Sequence, residues 1–187
     1  GLTIPQAILH AEKYNVDGQL ISRELDGSIN STTYGASIKR SKRLANALTK
    51  LGVKTHDRVA TIAWNNSRHF ETYFAVSGMG AILHTLNPRY SPDQLIYILN
   101  HAEDSVLIID PTFIPLVESV QDKLDTVKTI IIASSKEAIP ENNLNNPLSY
   151  EELINDELDE FDWPEMAEDD AASLCYTSGT TGNPKGV

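Results

Sequence analysis

Four short apolar runs constrain what this chain can fold into. They span residues 59–64, 81–86, 105–109 and 128–133, with centres near 61, 83, 107 and 130, so they recur every 22 to 24 residues. That interval holds one strand, one helix and two short loops. Strands linked in this way pair in parallel, and a parallel sheet is stable only when both of its faces are covered. The intervening helices are read at 68–79, from Ser91 onward, and at 113–124. Ser91-Pro92-Asp93-Gln94 is a helix-start box, with Ser91 as N-cap, proline at the first helical position and Gln94 reaching back. Upstream, Thr3-Ile4-Pro5 opens a helix that runs to about residue 13. Runs 19–25 and 28–34 flank Asp26-Gly27, a hairpin signal. Ile38, Leu44, Ala45 and Leu48 keep helical spacing over 35–51, with Gly52 placed to close that helix. The expected class is α/β: a parallel sheet with helices on both faces, plus a small β-hairpin near the N-terminus. Residues 1–133 read as the α/β core and 134–170 as a polar, acidic linker.

Charge narrows the function classes. The formal charge is −11, and eleven of the 26 carboxylates lie between residues 151 and 170, where no Lys or Arg occurs. The remainder balances, with 15 acids against 15 bases. A nucleic-acid partner is therefore not expected, since it would need a basic surface. The one basic cluster, Lys39, Arg40, Lys42 and Arg43, reads as a solvated helix face. No apolar run approaches the ~20 residues of a membrane helix, and no signal segment opens the chain, so no integral membrane segment and a cytoplasmic location are expected. The single cysteine, Cys175, excludes an intramolecular disulfide and reads as a buried small hydrophobe in a strand. The five histidines show no metal-ligand spacing, and no metal site is expected. His84 stands apart because it lies near the carboxyl end of an expected parallel strand, where open α/β sheets bind ligands. A structural hydrogen bond is its expected role. Trp64, Phe70, Tyr73 and Phe74 read as core around the first parallel strand and its helix.

The end of the chain carries the chemistry. A short apolar run from residue 172 feeds Thr177-Ser178-Gly179-Thr180-Thr181-Gly182-Asn183-Pro184-Lys185-Gly186. Three glycines let backbone N–H groups turn inward and approach a ligand closely. Thr177, Ser178, Thr180 and Thr181 add four hydroxyl donors, and Lys185 adds a positive charge. Together these residues suit a polyphosphate, so residues 171–187 read as a strand and a phosphate-binding loop. A Walker A loop is excluded by spacing, because proline precedes the lysine and Gly186 follows it, which leaves no helix to open there.

The run from Tyr176 to Gly186 resembles the signature loop of the adenylate-forming enzymes. Trp64-Asn65-Asn66-Ser67-Arg68-His69, His84-Thr85-Leu86-Asn87-Pro88-Arg89 and Tyr97-Ile98-Leu99-Asn100-His101-Ala102-Glu103-Asp104 are similar to the bacterial medium- and long-chain fatty acyl-CoA synthetases. The resemblance implies part of the large N-terminal domain of such an enzyme. It also implies a two-step reaction: ATP and a carboxylate give an acyl-adenylate and pyrophosphate, and coenzyme A then displaces AMP. ATP, Mg²⁺ and coenzyme A are the implied cofactors, and a fatty acid or other small carboxylic acid is the implied substrate. Thr177, Ser178, Gly179, Thr180, Thr181, Gly182 and Lys185 inherit the phosphate-binding role. No catalytic residue is assigned within the chain. It reads as an N-terminal fragment, about a third of a family member, that forms no acyl-adenylate alone. Gly186-Val187 are expected to be too short to pair as a following strand. Two alternatives stay open: another adenylate-forming ligase (an aryl-acid–CoA ligase or a peptide-synthetase adenylation domain), and a non-catalytic module that self-associates as a homodimer.

Overall fold

The computed structural model describes residues 1–177 and 183–187, and the chain divides into two compact units. The first comprises Gly1–His56, Trp64–Ala81 and Leu153–Ala172. It contains α1 (Ile4–Tyr14), a hairpin of β1 (Gln19–Arg23) and β2 (Ile29–Thr33), α2 (Tyr34–Lys50) and α3 (Ser67–Gly78). The hairpin forms where Asp26-Gly27 turns the chain, with Gly27 at φ 86° and Asp26 Oδ1 accepting from the Ser28 N–H. The three helices pack together, and α2 closes as expected at Gly52, φ 91°. Thr3 precedes α1 in extended backbone, but its side chain makes no capping hydrogen bond.

The basic stretch of α2 is largely engaged within this unit. Arg40 Nε lies 2.7 Å from the buried Glu71 carboxylate, and Lys42 lies 2.7 Å from Glu12. Lys39 lies 3.5 Å from Asp159, and Lys50 lies 2.8 Å from Glu157. Asn46 donates to the carbonyls of Leu158 and Glu160, so part of the acidic segment runs along α2.

The second unit comprises Asp57–Ala63, Ile82–Glu152 and Ser173–Val187. Its sheet holds β3 (Arg58–Ile62), β4 (Ile82–Thr85), β5 (Val106–Ile109), β6 (Thr129–Ile132), β7 (Leu148–Ser149), β8 (Ser173–Thr177) and β9 (Lys185–Gly186). The order is β7-β6-β5-β3-β4-β8-β9, parallel except for the antiparallel β8–β9 pair. The four strands read from the sequence are all present, each within two residues of its expected ends. One face of the sheet carries Ala60, Ile62, Leu107, Ile109, Ile130 and Ile132. These pack with Leu95, Ile98 and Leu99 of α4 (Pro92–His101) and with Ile114 and Val117 of α5 (Ile114–Glu118). Alternate residues Val59, Thr61, Leu83, Val106, Ile108 and Ile131 point the other way and are also buried, so both faces are covered. The α/β class, mostly parallel sheet and N-terminal hairpin are thus as expected.

Some expectations fail. The helix read at 113–124 is only the five-residue α5, with a 3-10 turn on each side. β7 lies in the polar stretch, where no strand is expected; the short helix α6 (Tyr150–Asn155) that follows it does begin where Ser149-Tyr150-Glu151-Glu152 reads as a helix start. Gly186 does pair: the register sets Tyr176 against Gly186 and Thr177 against Lys185. Trp64 and Tyr73 are 49% and 38% exposed rather than core, while Phe70 and Phe74 are half-buried.

Candidate functional site

The site is assembled within the second unit from β4, α4, β8 and β9. Of the seven residues assigned to phosphate, Thr177 and Lys185 are described, while Ser178, Gly179, Thr180, Thr181 and Gly182 lie outside the described residues. Thr177 and Lys185 face each other in the antiparallel register, and both are exposed. One step further, Cys175 and Val187 exchange both backbone hydrogen bonds, at 2.9 and 2.8 Å. The loop is therefore tied to strand on both sides. An antiparallel pair brings Cα atoms to about 5 Å, so the Thr177 hydroxyl and the Lys185 ammonium start from adjacent positions.

Cys175 is exposed, not buried, and its Sγ lies 3.5 Å from Thr85 Oγ1. On β8 the half-buried residues are Leu174 and Tyr176, and Cys175 falls on the opposite face.

Tyr176, the residue before Thr177, is held by three contacts. Its carbonyl accepts from the Tyr90 hydroxyl at 2.8 Å. Its hydroxyl shares a 2.6 Å hydrogen bond with His101 Nδ1, and the His101 ring stacks on Tyr97. Its ring lies against His84, with centroids 5.2 Å apart. His84 stands in register with Ala60 and Leu174, on the sheet face that α4 covers. It is 0% exposed, and its Nδ1 lies 2.7 Å from Oδ2 of Asp104, also 0% exposed. The hydrogen bond expected of His84 is present, but its partner was not foreseen from the sequence.

Asp104 owes its place to the end of α4. Glu103 N–H donates to Asn100 C=O and Asp104 N–H to Leu99 C=O, with Glu103 at φ 54°, which is a Schellman closure. Arg58 secures that turn: its Nε donates to the Ala102 carbonyl at 2.7 Å, and a terminal guanidinium nitrogen donates to the Glu103 carboxylate at 3.0 Å. The guanidinium also places positive charge at the negative end of the helix dipole. Burial holds the Asp104 carboxyl above its ordinary range, opposed by the His84 hydrogen bond and by the charges of His84 and Arg58. Burial likewise raises the Tyr176 phenol, with the Asp104 and Tyr97 charges adding to it. The sheet order reverses between β3 and β5, the usual crevice for a ligand in such folds. The glycine loop instead follows β8, on the far side of β4.

The AMP-binding enzyme family matches this chain over residues 10–187. The chain belongs to the AMP-binding enzyme family. It is 45% identical over 186 residues to a 3-methylmercaptopropionyl-CoA ligase of Ruegeria lacuscaerulensis, covering 100% of this chain and 34% of that protein. It is 47% identical over 169 residues to a long-chain-fatty-acid–CoA ligase of Thermus thermophilus, covering 90% of this chain and 30% of the relative. A medium-chain-fatty-acid–CoA ligase of Ectopseudomonas oleovorans is 41% identical over 186 residues, with 100% and 34% covered. The fold matches a crystal structure of an anthranilate CoA ligase in complex with anthranoyl-AMP. The TM-score is 0.84 at 24% identity, over 100% of this chain and 34% of that one. The chain thus spans about a third of the length of these relatives, which are CoA ligases. Among the described residues, no helix is long and apolar enough to cross a membrane.

Proposed function

We propose that this chain supplies the phosphate-gripping part of an ATP-dependent fatty-acid–CoA ligase. The observation that carries the reading is the β8–β9 pair, with Thr177 opposite Lys185 at the base of a loop of glycines and hydroxyls. Its strength is the length of the signature together with the identity to aliphatic-acid CoA ligases. In the first step a carboxylate oxygen attacks the α-phosphorus of ATP. The bond to the bridging oxygen breaks, and negative charge develops on the departing pyrophosphate. Thr177, Ser178, Gly179, Thr180, Thr181, Gly182 and Lys185 are assigned to that charge, as pre-placed donors and a cation. In the second step the thiol of coenzyme A attacks the acyl carbon and AMP leaves. Magnesium enters as the Mg·ATP complex. Among the described residues no group of three or more His, Cys, Asp or Glu is placed to hold a metal.

Acid-dependent ATP–pyrophosphate exchange tests the reading, using the full-length polypeptide that contains this chain. Linear fatty acids and 3-methylmercaptopropionate are the probes. Exchange with at least one of them, and thioester formation once coenzyme A is added, are expected. Lys185→Ala should weaken kcat/KM for ATP by roughly 10- to 100-fold, the worth of one charge-assisted contact. Absence of exchange with every aliphatic acid, while Mg·ATP is present, would overturn the assignment.

A further inference from the structure

We propose that His84 and Asp104 are positioning residues for the phosphate loop, acting through Tyr176 to set where Thr177 and Lys185 stand. The inference rests on the phosphate-gripping role argued above. Tyr176 is the last half-buried residue of β8 before the loop, and it is opposed by Gly186. Gly186 suits that position: a Cβ there would lie 3.2 Å from the Tyr176 ring and 3.1 Å from Leu174. The Tyr176 ring therefore touches β9 on one side and His84 on the other. Any shift of the ring is felt by both ends of the loop.

The chemistry under that ring is unusual for the middle of a parallel sheet. Among the described residues of β3 to β6, His84 is the one fully buried ionisable side chain. Its Nε2 and Asp104 Oδ1 are buried with no hydrogen-bond partner among the described residues. An apolar pair of similar volume would fill the space without that desolvation penalty. What the polar pair adds is direction. The bond at Nδ1 fixes the plane of the imidazole, and Asp104 is itself fixed by the Schellman turn and Arg58. The imidazole is thus a rigid shelf for the Tyr176 ring, whereas a leucine would rotate beneath it. Tyr90 and His101 hold the Tyr176 carbonyl and hydroxyl, and the shelf fixes the ring between them.

The test compares the full-length protein with the double variant His84→Leu/Asp104→Leu and with His84→Asn. Asparagine keeps a hydrogen-bonding group near the position of Nδ1. Three quantities are read: KM for ATP and KM for the acid in pyrophosphate exchange, and the thermal midpoint. For the apolar pair we expect a thermal midpoint at or above wild type, KM for ATP raised at least tenfold, and KM for the acid within twofold. His84→Asn should recover KM for ATP to within about threefold. Should the double variant misfold, His84→Asn against His84→Leu supplies the same comparison. Wild-type KM for ATP in a folded His84→Leu protein would overturn the positioning role and leave the ligase reading intact. A wild-type protein without any exchange would overturn both.

Discussion

Asp104 lies wholly out of solvent beside His84, and its carboxyl is held above its ordinary value mainly by that burial. Linkage gives the sign of the consequence. A group whose folded pKa is raised contributes stability below its unfolded value, near 3.8 for this carboxyl, and loses it as pH climbs through the raised folded value. Replacing Asp104 with asparagine keeps a hydrogen-bond partner for His84 Nδ1 and removes the titration. The wild-type minus Asp104→Asn difference in thermal midpoint should therefore be most favourable to wild type near pH 3.5 and should decline toward pH 7. The groups placed about the carboxyl are His84 on β4, Arg58 on β3, His101 and Tyr97 on α4, and Tyr176 on β8. A difference that stays flat or rises with pH would contradict burial as the dominant cause. The sequence exposed half of this pair. A histidine inside an apolar strand demands a partner, so His84 was legible. Asp104 was not, because only the chain reversal at Glu103 carries it beneath α4. Cys175 was misread for a related reason: alternation along β8 is visible in the sequence, but which face is covered is not.

At the scale of elements, local chemistry was readable and long-range chemistry was not. α4 begins as its box requires, with Ser91 Oγ accepting from Gln94 N–H and Gln94 Oε1 accepting from Ser91 N–H. The segment at 113–124 has the apolar spacing of one helix, but it is claimed by the polar stretch downstream. Glu118 accepts from the Asn143 N–H, and the Gln121 side chain spans the Asn143 carbonyl and the Asn145 N–H. The Gln121 bonds tie the second 3-10 turn, Gln121–Lys123, to that stretch. α3 offers a test in which local propensity and tertiary packing oppose each other. Gly78 sits in its last turn, and alanine there should gain up to ~1 kcal/mol from propensity alone. A Cβ at that position would lie 2.8 Å from Ile8 Cδ1 and 2.8 Å from Trp163 Cζ3. The Ile8 tip can rotate away, but the indole is rigid and packs against Phe161. Overpacking of this kind costs about 1–3 kcal/mol. Gly78→Ala should therefore be destabilised by about 1 kcal/mol net, read as a fall of a few degrees in thermal midpoint. A rise would show that the Trp163 contact yields freely.

For the molecule as a whole, the excess negative charge acts together with the pairs along α2. All of the net −11 is accounted for by eleven carboxylates within twenty residues, 151–170. Lys39–Asp159 and Lys50–Glu157 draw that segment to α2, but both lysines are more than half exposed. Exposed pairs of this kind contribute about 0–1 kcal/mol each. Against them stands the mutual repulsion of the remaining carboxylates, which folding concentrates by fixing the segment on one surface. Salt weakens both effects, since screening length falls from about 20 Å to about 6 Å between roughly 20 and 300 mM. The pairs are in contact and lose only part of their energy. The repulsions act over longer distances and are mostly removed. Added sodium chloride over that range should therefore raise the thermal midpoint, by about 2–4 °C if the relief is near 1 kcal/mol. The glutamine pair of substitutions Asp159→Gln and Glu157→Gln separates the contributions. If repulsion dominates, the salt response should shrink in that variant because two charges have left the cluster. A midpoint that falls with salt in the wild type, and no longer falls in the variant, would instead make the α2 pairs the governing term.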